Sequence, residues 1–219
     1  MKCFIGIDLG STTTKSIVLD EAGAILGRGI TNSRSNYDVA AEVAKQESLL
    51  TTRFTLFRRA LGEIGSLDGS LDEFLAQLQR DFRLEQFMEQ LDDLNRTCLA
   101  NVEERRFGAA ADAVREALVE IFRRLEAEAP ALFAPGAKRK SDFFRDVAGS
   151  RYLAVGEEIA KGNGVSFDDI LNVYDRSIIE VENRIFEEAD SAKLMRALDR
   201  AFQAMPELAA AADAVRAPV

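Results

Sequence analysis

Near the start of the chain, Asp8-Leu9-Gly10-Ser11-Thr12-Thr13-Thr14-Lys15 sets an acid, a turn glycine, four hydroxyl residues and a lysine between two short apolar runs. The chemistry open to that order is the binding of a polyanion. Gly10 lets the backbone turn tightly and approach a ligand closely, while Ser11, Thr12, Thr13 and Thr14 supply hydroxyl and amide donors. Lys15 adds a compact positive charge. Asp8, at the end of an apolar run, is placed to hold a hydrated Mg²⁺ beside phosphates, because that ion keeps most of its waters and takes one or two carboxylates. The same residues also make an ordinary polar hairpin tip: serine, threonine and glycine favour turns, and an aspartate at a strand end can simply satisfy backbone amides. On residue types alone both readings stand.

Other chemistries are narrowed by what the sequence lacks. No glycine stands directly before Lys15, so the run is not a Walker loop, and the dinucleotide pattern of three spaced glycines is also missing. With no histidine in 219 residues, catalysis must use carboxylates, hydroxyls, lysine or a metal ion. A net charge of −9, from 37 acids against 28 bases, argues against a general nucleic-acid partner. Cys3 and Cys98 stand in unrelated contexts without C-x-x-C spacing, so both are expected to be core or incidental thiols. No apolar run is long enough to span a bilayer and Met1-Lys2 leads straight into a strand-like run, which points to a cytoplasmic chain with no membrane partner.

The elements that must position these residues change abruptly in texture. Residues 3–31 contain three short runs rich in β-branched side chains, separated by Gly10–Thr13 and Asp20–Gly23, and predict an antiparallel three-stranded meander. From Tyr37 onward the chain reads as helix. One helix is expected from Tyr37 to Ile64 on an apolar stripe of Val39, Val43, Leu50, Phe54, Phe57 and Leu61. A capping box at Ser70–Glu73 opens another, and a further long helix is expected from about Asn95 to Glu128. Pro130 and Pro135-Gly136 then predict a loop near 130–140, followed by shorter helices over 141–147, 151–161, 166–189 and 191–205. The fold class is therefore α+β, with a meander at 1–36 and a mostly helical domain at 37–219. The basic Lys138-Arg139-Lys140 ahead of Phe143-Phe144 is read as a solvated loop followed by core aromatics.

The stretch GIDLGSTTTK resembles the first phosphate motif of the actin, sugar-kinase and Hsp70 ATPase superfamily. Together with GRGITNSRSNYDVAAEVAKQE, Gly27 to Glu47, it is similar to one branch: the ATPase subunits of benzoyl-CoA reductase and the related activators of 2-hydroxyacyl-CoA dehydratases. The resemblance implies a ribonuclease-H-like fold in which the meander is part of one half, and ATP and Mg²⁺ as cofactors. It assigns Asp8 to the hydrated metal and to catalysis, Gly10 to the turn, and Ser11, Thr12, Thr13, Thr14 and Lys15 to the phosphates. In that family, hydrolysis drives an electron from an iron–sulfur cluster toward a low-potential acceptor. The partners implied are another ATPase subunit and the reductase or dehydratase component.

The resemblance is carried by about the first quarter of the chain, and the helical region is expected to be an insertion. A second Asp-x-Gly hairpin, a glycine-rich adenosine motif and cluster-binding cysteines are not recognisable; Asp68-Gly69-Ser70 lacks the spacer residue. The expectation is thus the front portion of a longer ATPase, inactive by itself, with an iron–sulfur cluster supplied only by the complete protein or complex. A sheet without its cover is also expected to self-associate. The alternatives are a non-catalytic helical assembly module with a vestigial nucleotide hairpin, and a fragment of a sugar-kinase-like enzyme.

Overall fold

The computed structural model describes residues 2–33, 36–62, 69–139, 141, 143–182, 184 and 190–216. Asp68, Lys140 and the helix ends expected at Ile64 and Ala189 lie outside these residues. The chain has the α+β organisation expected: an N-terminal antiparallel sheet followed by helices. Its compact units, however, are residues 1–79 with 188–219, and residues 80–187. The boundary drawn at 36/37 marks only the change from strand to helix, because the first helix packs directly on the sheet.

The sheet runs β1 (Phe4–Leu9), β2 (Thr13–Leu19), β3 (Ile25–Asn32), each strand paired antiparallel to the next. Between β2 and β3, the Asp20 carboxylate accepts the amides of Ala22 and Ala24 at 3.0 and 2.9 Å and so closes the turn. A register shift at Val18/Leu19 pairs Val18 with Gly27 and Leu19 with Ile25. The extra residue, Leu26, is thereby turned into the core, where it is buried beside Val18.

Helix α1 (Tyr37–Leu61) starts at Asn36, whose side chain accepts the Asp38 and Val39 amides. It covers one face of the sheet. The side chains it buries there are small: Ala40, Ala44, Ser48 and Thr52 recur every fourth residue. They meet a β3 that is small in return. A Cβ on Gly29 would stand 2.1 Å from the Ala44 carbonyl, and one on Gly27 would stand 2.3 Å from the Ser48 carbonyl. Two polar ties pin the contact. Ser16 Oγ donates to the Ala44 carbonyl at 2.5 Å, and Thr51 Oγ1 accepts the Arg28 amide at 2.9 Å. Of the expected stripe, Leu50, Phe57 and Leu61 are buried, whereas Val39, Val43 and Phe54 are only half-buried; against β3 the helix is seated by close backbone approach.

The other helices are α2 (Leu71–Ala100), α3 (Glu104–Phe107), α4 (Ala111–Leu132), α5 (Phe144–Asn163), α6 (Phe167–Glu182), α7 (Asp190–Ala204) and α8 (Ala212–Arg216). In the first unit the start of α2 and α7 meet through Phe74 and Phe202, with ring centroids 5.3 Å apart. The second unit has its own core on α2, α4, α5 and α6, including Leu91, Leu94, Leu118, Phe122, Tyr152 and Ile170. The helix expected from Asn95 to Glu128 is instead the end of α2, the short α3 and most of α4, because α2 ends at Ala100. Pro130 does not end α4: the helix runs past it to Leu132, although a proline there leaves the carbonyl of Glu126 without its helical amide donor. The helices expected at 141–147 and 151–161 are one, α5.

Arg139 lies over the Phe133 ring, 4.5 Å from its centroid, and donates to the Leu132 carbonyl, while Phe144 packs edge-on against Phe87.

Among the described residues no helix is long and apolar enough to cross a membrane.

Candidate functional site: the β1–β2 hairpin

Strand alternation fixes which side chains can act together. In the β1–β2 register Asp8 stands opposite Lys15 and Gly6 opposite Ile17; in β2–β3, Lys15 stands opposite Ile30 and Ile17 opposite Arg28. Directly opposed residues share a face. That face is the one turned away from α1, since the residues between them, Thr14, Ser16 and Val18, are buried. Asp8, Lys15 and Arg28 therefore flank an open groove of about 660 Å³ whose floor includes Gly6, Ile17 and Ile30. Neither Asp8 nor Lys15 makes an ion pair among the described residues, so a cross-strand acid and base stand side by side at the mouth of the hairpin with both charges available.

The loop between them is tight. The Gly10 amide donates to the Thr13 carbonyl at 3.2 Å, and a Cβ on Gly10 would lie 2.6 Å from that same oxygen. No other residue fits without opening the turn. Ser11 and Thr12 are exposed at the tip and Thr13 is half-buried. The structure thus brings Asp8, Gly10, Ser11, Thr12, Thr13 and Lys15 together around one hairpin mouth.

Thr14 is placed differently. It is fully buried, and its hydroxyl lies 3.0 Å from Ser33 Oγ. Strand alternation explains this: a residue between Thr13 and Lys15 must point to the α1 side, so Thr14 supports the hairpin from behind instead of lining its mouth. Ser33 is the residue that motif reasoning missed. It stands just past β3, far along the chain from the hairpin, and only the β3 register brings it there.

A family model described as the BadF/BadG/BcrA/BcrD ATPase family matches residues 5–136. The chain belongs to this ATPase family. The match runs well past the first quarter of the chain, through the sheet, α1, α2 and α4, so much of the helical region is family sequence too. No curated protein and no solved structure gives a significant match. Membership in an ATPase family of the actin, sugar-kinase and Hsp70 superfamily implies nucleotide and magnesium binding, and the hairpin fits that demand on one side. It offers a single free carboxylate for a hydrated ion, a lysine, a glycine turn and exposed donors.

The cysteines of this ATPase-family chain are not among the residues that form the hairpin mouth. Among the described residues no group of three or more cysteine, aspartate and glutamate side chains is placed to hold a metal ion. Cys98 is buried in the second unit, and burial pushes its thiol up to about 12 against the opposing hydrogen bond from Ser177. Cys3 is exposed. Because the thiolate is the reactive form, a disulfide reagent at pH 8 is expected to titrate Cys3 at once and Cys98 only after denaturation. Rapid reaction of both thiols in the folded chain would show that Cys98 is not held neutral as the packing requires.

Proposed function

We propose that the chain is the N-terminal part of an ATP-hydrolysing subunit that drives low-potential electron transfer to a CoA-ester reductase or dehydratase. The observation that carries this reading is the hairpin itself, in a chain of this ATPase family: Asp8 and Lys15 in register beside a glycine turn. In this reading Asp8 holds the hydrated magnesium, and Ser11, Thr12, Thr13 and Lys15 face the β- and γ-phosphates, with Thr14 behind them. Magnesium, when bound, neutralises charge on the phosphates and orients water. The protein's own part is to hold the acid at the strand end and to keep the donors of the loop in place. The iron–sulfur cluster belongs to the complete protein or complex, and the partners are a second ATPase subunit and the reductase or dehydratase component.

The sheet supports a need for further structure. Phe4, Ile5, Ile7 and Leu9 are each exposed, so β1 is uncovered on both faces, and such a strand seeks another surface. Dynamic light scattering of the 219-residue chain should show association at high concentration; a stable monomer with no binding of an apolar dye would contradict this.

With one side of a polyphosphate site, the chain should bind Mg-ATP no more tightly than about millimolar, roughly −4 kcal/mol, in a calorimetric titration. Micromolar binding would mean that the missing side is present after all. The electron-transfer reading is tested in the complete system with its partner components: reduction of a CoA ester should depend on ATP hydrolysis. Reduction at the same rate without nucleotide would overturn it.

A further inference from the structure

The hairpin loop is held from behind by one residue outside its motif. The Ser33 amide donates to the Thr12 carbonyl at 2.8 Å, and Ser33 Oγ donates to the Gly10 carbonyl at 2.5 Å. The same Oγ lies 3.0 Å from Thr14 Oγ1. A hydroxyl carries one proton and two acceptor sites. With the Ser33 proton committed to Gly10, the Thr14 hydroxyl must be the donor in the remaining contact. The result is a short relay from Thr14 through Ser33 to the Gly10 carbonyl, backed by a fully buried side chain.

This relay bears on which backbone groups a ligand meets. Carbonyl oxygens repel a polyanion and amides attract it, so a phosphate loop works only if the carbonyls are engaged elsewhere. Ser33 engages two of them, at Gly10 and Thr12, and the Gly10 amide is already spent on Thr13. The Ser11 and Thr12 amides make no hydrogen bond among the described residues. We infer that Ser33 is a positioning residue of the polyphosphate site: it fixes the hairpin in the form whose unspent amides receive the phosphates of a nucleoside triphosphate. The inference rests on the phosphate-site reading above. Ser33 itself does not touch the ligand and brings no charge, so its effect differs in kind from that of Lys15.

The test is an amide NMR titration of the 219-residue chain with Mg-ATP and, separately, with magnesium tripolyphosphate, alongside melting temperatures. In the wild type the Ser11 and Thr12 signals should move saturably with both ligands. Ser33→Ala should bind both about tenfold more weakly, the scale of one lost hydrogen bond, and should also melt lower, because it leaves the buried Thr14 hydroxyl without a partner. Ser33→Thr, which keeps the hydroxyl, should return to near wild-type affinity. Ser33→Cys, equal in shape and a weaker donor, should fall between, and it serves if the alanine variant does not fold. Wild-type affinity in both Ser33→Ala and Ser33→Cys overturns the inference. So does a Ser33→Thr variant that melts normally yet binds as weakly as Ser33→Ala. Absence of any saturable shift in the wild type overturns the phosphate-site reading itself, and is told apart because no substitution is needed to see it.

Discussion

Gly29→Ala is expected to detach helix α1 from the sheet and to cost about 3 kcal/mol, at the upper end for overpacking by a single methyl group. The added Cβ would stand 2.1 Å from the Ala44 carbonyl and 2.7 Å from the Ser48 amide. Both are backbone atoms, so no side chain can swing aside, and the helix must lift by roughly an ångström to restore ordinary contact. Lifting breaks the bond from Ser16 Oγ to that same Ala44 carbonyl, leaving a buried hydroxyl unpaired. Gly6→Ala is the control, since its Cβ meets only Ile17 Cγ2 at 3.4 Å. Hydrogen exchange of the β2 and β3 amides is the suitable measure, because it reports on this unit without assuming that both units unfold together. Equal protection in Gly29→Ala and Gly6→Ala would show that the glycine contact does not seat the helix. Ser16 is the neighbour of Lys15, so the same variant should also disturb the hairpin amides.

The same contact explains which parts of the fold were legible in the sequence. Strand runs and turn residues announced the meander, because alternation and turn chemistry are local. The way α1 seats itself was not legible, because Ala40, Ala44, Ser48 and Thr52 do not register as an apolar stripe, and their meaning depends on Gly27 and Gly29 in another element. Pro130 misled because a proline is read as a breaker, yet α4 continues past it to Leu132. At the site, the acid, glycine, hydroxyls and lysine were legible as a set. The different orientation of Thr14 follows from strand alternation once the β2 boundary at Thr13 is known. Ser33 was not legible at all, since nothing in the residues after β3 marks a serine that reaches back to Gly10 and Thr12.

In the complete ATP-hydrolysing protein, Asp8→Ala is expected to lower hydrolysis by at least about a hundredfold, the scale of losing a group that holds a catalytic ion or stabilises developing charge. Folding should be nearly untouched. Asp8 lies on the face of β1 turned away from α1, is exposed, and has no ion pair among the described residues, so its removal strands no buried partner. Asp8→Asn should fall almost as far, because it keeps the shape and hydrogen-bonding reach of the side chain and loses only the charge that a magnesium ion requires. Lys15→Ala should lose mainly affinity for the nucleotide, and the affinity that remains should depend less on salt, because a screened attraction has been removed. These expectations separate a metal-holding carboxylate from a strand-end aspartate that merely satisfies local amides. In the second case Asp8→Ala would lower the melting temperature and leave the rate of phosphate release unchanged. Measured together, a wild-type hydrolysis rate in Asp8→Ala would remove the magnesium role, whereas a collapsed rate in both Asp8→Ala and Asp8→Asn at unchanged melting temperature would place the charge of this one carboxylate at the centre of the reaction.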